Sequence, residues 1–157
     1  MKKTPKNAYV NLALVVAVLF LAVCVWSLFI MPTLTTMLIN LPDNIGNRDQ
    51  ITQAGRTIAL ILAYGIIVDF MVADCLLMGI LSNVKKGQVF TKQTVSLIKG
   101  VSWCCLGLGG LFGGLGIWFQ LSIVVAFMAL FLGLALGVVK NTVREAVAIK
   151  DENDLTV

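Results

Sequence analysis

Long apolar runs separated by short polar segments make up most of the chain. Four of them, at about residues 8–31, 57–82, 100–118 and 121–139, approach or exceed the roughly 20 apolar residues needed to cross the hydrocarbon core of a bilayer. Since no water in that core can hydrogen-bond free backbone groups, each run must be helical. The pattern predicts an all-α integral membrane protein, a four-helix bundle in one membrane domain over residues 1–157. Pro32 is expected to end the first helix.

The composition supports this class. Hydrophobic residues make up 59% of the 157 residues and charged residues only 13%, which leaves too few polar side chains to cover a soluble domain of this size. The hydrophobic runs must therefore contact lipid as well as each other.

Lysine and arginine are unevenly distributed between the connecting segments, and this predicts the orientation. Cytoplasmic loops carry an excess of these residues. The first loop holds Arg48 and Arg56, and the third loop holds neither type. Both termini and the second loop are therefore predicted to be cytoplasmic, with the fourth helix extending into a cytoplasmic C-terminal segment at 140–157. The remaining ten of the twelve basic residues lie on that side: Lys2, Lys3, Lys6, Lys85, Lys86, Lys92, Lys99, Lys140, Arg144 and Lys150.

Residues suited to catalysis or metal binding are scarce. The chain has no histidine, the commonest general base and metal ligand. Its four cysteines all lie in predicted helices without metal or redox spacing, so we expect them to pack as small hydrophobic residues. The sequence predicts a protein that is not an enzyme and needs no cofactor.

Glycine recurs at four-residue spacing in the third and fourth runs. Small residues at this spacing let helices approach closely within a membrane. The short third loop, WFQLS, makes these two helices antiparallel neighbours. We therefore expect the glycines to serve packing within the subunit first and a homodimer contact second. They are Gly109, Gly110, Gly113, Gly114, Gly133 and Gly137.

Two aspartates interrupt the second run. Asp69 lies near its centre and Asp74 nearer the cytoplasm. A central aspartate costs roughly 2.5 to 3.5 kcal/mol on insertion, so both must face other helices. The antiparallel register about the second loop puts Asp74 beside Ser102 and within one turn of Lys99, a plausible ion pair, and puts Asp69 level with Gly107. The two acids could carry protons or cations, or could instead specify packing.

The predicted cytoplasmic face combines the second loop with the end of the fourth helix. Gly87 marks a turn, and Thr91 is suited to cap the helix that follows. An apolar stripe that includes Val143 and Val147 suggests that the fourth helix leans on a neighbouring element. Because acidic residues are unfavourable at a helix C-terminus, this helix is expected to end near Asp151, with an extended tail after it.

Two stretches, KKGQVFTKQTVSLIKG and NTVREAVAIKDENDLTV, resemble an uncharacterised family of small bacterial four-helix membrane proteins, known only as a domain of unknown function. Its members tend to show KG-x-VF before the third span and an acidic EENDLT ending. Family genes often adjoin a gene for a small helix-turn-helix DNA-binding protein. The resemblance implies such a partner and a location in the bacterial inner membrane. Asp69 and Asp74 match no pattern of the family, so no role transfers to them.

The expected function is that of an inner-membrane regulatory adaptor that docks a small cytosolic helix-turn-helix regulator, without direct contact with nucleic acid. Two alternatives remain: a proton- or cation-coupled transporter or channel subunit that uses Asp69 and Asp74, with Lys99 nearby, and a structural subunit of a larger membrane complex. Membrane lipid is an expected partner, and a homo-oligomer is possible. The residues expected to dock the regulator are Lys85, Lys86, Gly87, Val89, Phe90, Lys92, Glu145, Lys150, Glu152, Asn153, Asp154 and Leu155.

Overall fold

Four α-helices and no strands form in the part of the chain described by this computed structural model, residues 5–40 and 53–155. They are α1 (Pro5–Asn40), α2 (Gln53–Lys85), α3 (Lys92–Leu115) and α4 (Gln120–Leu155). Each contains a stretch that is long and apolar enough to cross a membrane. The all-α, four-helix prediction is confirmed, and the composition of the helices indicates a multi-pass membrane protein.

Helix α1 continues through Pro32, so the prediction that this residue ends the helix is wrong. Proline has no N–H, and the carbonyl of the residue four positions earlier, Leu28, therefore lacks its usual helical donor. The hydroxyl of Tyr64 on α2 donates to that carbonyl at 3.3 Å. The neighbouring helix thus supplies the hydrogen bond that the proline removes.

Each helix packs against the next one in the chain. Contacts join α1 to α2, α2 to α3 and α3 to α4, whereas other pairs of helices make little contact within the described residues. Edge-to-face rings link the first three helices, with Phe70 at 6.0 Å from Phe20 and 6.5 Å from Phe112 between ring centroids. This chain-ordered packing leaves broad apolar faces on α1 and α4 exposed, as contact with lipid requires.

Glycines set the distance between α2 and α3. A Cβ atom built on Gly100 would lie 2.8 Å from Cδ1 of Leu76, and one built on Gly79 would lie 3.2 Å from Cδ1 of Leu97. On each helix, a leucine of the other helix therefore packs against a glycine. This antiparallel register agrees with the one derived from the midpoint of the second loop.

Helices α3 and α4 meet along a seven-residue repeat. Ser102 and Gly109 on α3 are buried, and so is Gly116, which caps the C-terminus of α3. A Cβ on Gly109 would lie 2.5 Å from Cγ of Leu130, and one on Gly116 would lie 2.5 Å from Cγ1 of Ile123.

The hydroxyl of Ser102 donates to the backbone carbonyl of Gly133 on α4 at 2.7 Å, and a Cβ on Gly133 would lie 3.2 Å from Cβ of Cys105. A seven-residue repeat is typical of helices that cross at a small angle.

The two overlapping GxxxG pairs do not form one packing surface, which corrects the interpretation of that motif. Gly109 contacts α4, but Gly114 faces Leu62 of α2. Nothing lies within 4 Å of a Cβ built on Gly110 or Gly113. The prediction that these glycines serve packing within the subunit thus holds for Gly109 and Gly114 but not for Gly110 or Gly113.

On α4, Gly137 also belongs to the contact with α3. A Cβ built on it would lie 3.7 Å from the hydroxyl oxygen of Ser102. Gly133 and Gly137 thus both face α3, while only Gly109 of the four α3 glycines in the motif faces α4.

Candidate docking surface and intramembrane carboxyl groups

The turn between α2 and α3, residues 86–91, has a defined conformation. Gly87 has φ of 74°, in the left-handed region that glycine tolerates best. The N–H of Gly87 donates to the carbonyl of Val84 at 3.1 Å, and the N–H of Gln88 donates to that of Asn83 at 2.9 Å. A left-handed glycine with such bonds closes the C-terminus of a helix. The backbone of the turn is therefore fixed on the α2 side.

A buried polar cluster fixes the same turn on the α3 side. Thr91 caps α3 by accepting a hydrogen bond from the N–H of Thr94 at 3.3 Å, as predicted. The Thr94 side chain is 2% exposed; its hydroxyl accepts from the Asn83 amide at 3.3 Å and donates to the carbonyl of Gln88 at 3.3 Å. Asn83 and Thr94 were not singled out in the sequence. Their bonds hold the ends of α2 and α3 and the turn between them as one unit.

Helix α4 reaches the same end of the bundle as this unit. The expectation that it ends near Asp151 is wrong, because the helix continues to Leu155. Gly109 of α3 lies opposite Leu130 of α4. The same antiparallel register places Val147 of α4 opposite Lys92, at the start of α3. Val147 is only 5% exposed, so the apolar stripe does pack on a neighbour. We call residues 85–92, which include the 86–91 turn, together with residues 140–155 of α4 the basic end.

The basic end contains the residues predicted to dock a partner. Phe90 is 50% exposed and Val89 is partly buried. The side chains of Asn153, Asp154 and Leu155 lie outside the described residues. The charged residues with exposed side chains are Lys85, Lys86, Lys92, Glu145, Lys150 and Glu152, and Gly87 is exposed as well. The exposed charged residues and the Phe90 ring thus belong to two segments that are far apart in sequence, and the α3–α4 register places both segments at the same end of the bundle.

Asp69 lies between α2 and α3. A Cβ atom built on Gly107 would lie 3.6 Å from its Oδ2, in agreement with the predicted register. The Cys104 thiol lies beside the same carboxyl group. Oδ2 is buried without a hydrogen-bond partner. Cys104 was expected only to pack, but it lies one turn from Gly107 and therefore on the face that meets the acid.

Asp74 is more deeply buried, with 4% of its surface exposed, and its Oδ2 also has no hydrogen-bond partner. The expected ion pair with Lys99 does not form in the described structure, where the lysine side chain is exposed. Ser102 is turned toward Gly133 on α4 rather than toward the acid. The register correctly predicted which residues of α2 and α3 lie level with each other. The rotation of α3 about its axis, however, turns Lys99 and Ser102 away from Asp74.

No metal centre is evident in the described residues. His, Cys, Asp and Glu side chains do not come together there in any group of three or more that could hold a metal ion. The four cysteines, Cys24, Cys75, Cys104 and Cys105, are not joined by disulfides.

Residues 2–157 match the family described as "Protein of unknown function (DUF2975)". The chain belongs to this family. No curated protein and no solved structure matches it. The membership confirms the resemblance to an uncharacterised family over the whole chain, and it brings no reaction or partner with it.

Proposed function

We propose that this protein is a non-enzymatic adaptor of the bacterial inner membrane that docks a small helix-turn-helix transcription regulator at its basic end. The observation that carries the proposal is the α3–α4 register, which places the 86–91 turn and the extended part of α4 at the same end of the bundle. In the sequence these are also the two segments that bear the family resemblance. The resemblance implies the regulator as the partner.

The conformation of the basic end suits a protein contact. The bonds of Asn83 and Thr94 hold the turn before any partner arrives, so little conformational entropy would be lost on docking. The exposed ring of Phe90 offers an aromatic anchor of the kind that dominates binding energy at interfaces. The exposed lysines and glutamates of the basic end can orient a partner and exclude wrong ones.

The proposal requires the basic end to face the cytoplasm, where the regulator is. The lysine and arginine distribution supports this orientation through the positive-inside rule. A regulator held there would be kept away from the chromosome or presented to it, depending on the state of the membrane protein.

Co-purification tests the proposal. The full-length tagged chain is expressed with the small helix-turn-helix protein encoded beside it, extracted in mild detergent and captured. We expect the wild type to retain the regulator, and Phe90→Ala and the double variant Lys85→Glu with Lys86→Glu to lose most of it.

Ile117→Ala is the matched control, since Ile117 is an exposed apolar residue just beyond the opposite end of α3. It should retain the regulator at the wild-type yield. The proposal is contradicted if wild type captures no regulator, or if the Phe90 and lysine variants capture it as well as the control does.

A transporter or channel subunit is the second candidate, and one observation favours it. Asp69 and Asp74 each keep a buried carboxyl oxygen without a hydrogen-bond partner, and ionisable residues inside a membrane often mark an ion or proton pathway. Proton uptake by liposomes that contain the wild type, but not the Asp69→Asn or Asp74→Asn variant, would support this candidate over the adaptor.

A further inference from the structure

A groove of about 670 Å³ lies between α1 and α2, with one residue of α3 in its wall. Its walls include Tyr9 and Phe20 of α1, Phe70 and Leu77 of α2, and Val101 of α3. The exposed side chains of Tyr9 and other α1 residues form its rim. Its volume falls in the range of sites that hold drug-sized molecules.

Among the described residues, the one charged side chain that lines this groove is Asp74. The residue is nine-tenths buried or more, and its Oδ2 has no hydrogen-bond partner. Every other lining residue is apolar apart from the Tyr9 hydroxyl. A carboxyl group in such surroundings is costly unless it meets a cation or a hydrogen-bond donor.

We propose that this groove binds a lipophilic organic cation, with Asp74 as its counter-ion. The apolar walls match the body of such a molecule, and the carboxyl group matches its charge. This inference does not depend on the regulator-docking proposal, because no residue that lines the groove belongs to the basic end.

The composition of the groove distinguishes this occupant from others. A metal cation such as Ca²⁺ or Mg²⁺ needs about six oxygen ligands, and the groove offers one carboxyl group. A lipid acyl chain would fill the apolar walls but would leave the carboxyl group unmatched. A cation whose charge is spread over an aromatic body loses little on leaving water and can also contact the faces of Phe20 and Phe70.

Binding of tetraphenylphosphonium to the purified full-length chain, measured by equilibrium dialysis in one detergent, tests the inference. We expect saturable binding to the wild type and an affinity at least about tenfold lower for Asp74→Asn, because a charge-assisted contact is lost. Asp74→Glu keeps the charge and should keep most of the affinity. Asp69→Asn is the matched control, since that acid lies at the α2–α3 contact beside Gly107, and it should bind like the wild type.

Val16→Trp provides a test that leaves the acid in place, because Val16 lines the groove and is exposed at its rim. It should weaken tetraphenylphosphonium binding by obstructing the groove, which keeps the inference testable if Asp74→Asn does not fold. The neutral analogue triphenylphosphine oxide should bind wild type and Asp74→Asn equally.

The inference is overturned if the wild type shows no saturable binding, or if a folded Asp74→Asn variant binds the cation as tightly as the wild type. It is also overturned if Val16→Trp binds normally, or if the neutral analogue depends on Asp74 as strongly as the cation does. Since none of these variants alters the basic end, regulator capture measured in parallel separates a failure of this inference from a failure of the adaptor proposal.

Discussion

The Tyr64 hydroxyl donates to the Leu28 carbonyl across the α1–α2 contact, at 3.3 Å. Leu28 is the residue whose helical hydrogen bond Pro32 removes. A hydrogen bond between helices therefore replaces one within a helix, in an apolar region where an unpaired carbonyl would be costly.

Tyr64→Phe should lower the free energy of unfolding by about 1 to 2 kcal/mol, because it leaves that carbonyl unpaired. In a Pro32→Ala background the helix regains its own N–H donor, so the same substitution should cost much less. Thermal unfolding of the four proteins of this double-mutant cycle measures the coupling. Equal costs in both backgrounds would show that the tyrosine does not compensate for the proline.

Gly109→Ala should destabilise the protein, whereas Gly110→Ala should not. The new Cβ at Gly109 would lie 2.5 Å from Cγ of Leu130, but at Gly110 it would meet nothing within 4 Å. Overpacking of this kind costs about 1 to 3 kcal/mol. The free energy of unfolding of the two variants, measured in the same detergent, compares the same substitution at neighbouring residues. Similar values for the two variants would contradict the seven-residue packing repeat.

Asn83→Ala should loosen the 86–91 turn, because it removes the amide that donates to the buried Thr94 hydroxyl. A lost buried hydrogen bond costs about 1 to 3 kcal/mol, and the effect should be local. Limited proteolysis by trypsin at Lys85 and Lys86 should become several-fold faster. Asn141→Ala, at an exposed position of α4, is the control, and equal cleavage rates in the two variants would argue against a turn held by this cluster.

Asp69→Asn should leave the chain folded, since the amide has nearly the size of the acid and avoids a buried charge. Asp69→Lys should prevent folding, because a long cation would be forced against Gly107 and Cys104. The yield of monodisperse protein after gel filtration distinguishes the two variants. A normal yield of Asp69→Lys would mean that the α2–α3 contact does not enclose this position.

The height of residues along the helices could be predicted from the sequence, but their rotation could not. The midpoint of the second loop correctly placed Asp69 level with Gly107, because antiparallel helices joined by a short turn have one register. It could not show that Ser102 faces Gly133 on α4. The rotation of α3 depends on the seven-residue repeat shared with α4, and the more conspicuous four-residue glycine spacing concealed that repeat.

Local rules failed where a distant residue or a larger packing term opposed them. Pro32 did not end α1, because Tyr64 supplies a donor from another helix. The three acids after Lys150 did not end α4, since unfavourable dipole contacts cost only about 0.3 to 1 kcal/mol each, and the helix there already packs through Val147. The Thr91 cap was predictable because it involves neighbours in sequence, whereas the Asn83–Thr94 bond depends on the completed turn.

Photo-crosslinking in living cells tests the proposed docking role most directly. A photoreactive phenylalanine analogue replaces Phe90 at the basic end, or Ile117 at the opposite end, in the full-length chain expressed with its helix-turn-helix neighbour. The account predicts a light-dependent adduct with the regulator from position 90 and none from position 117. An adduct from position 117 alone, or no adduct from position 90 when both proteins are present, would contradict it.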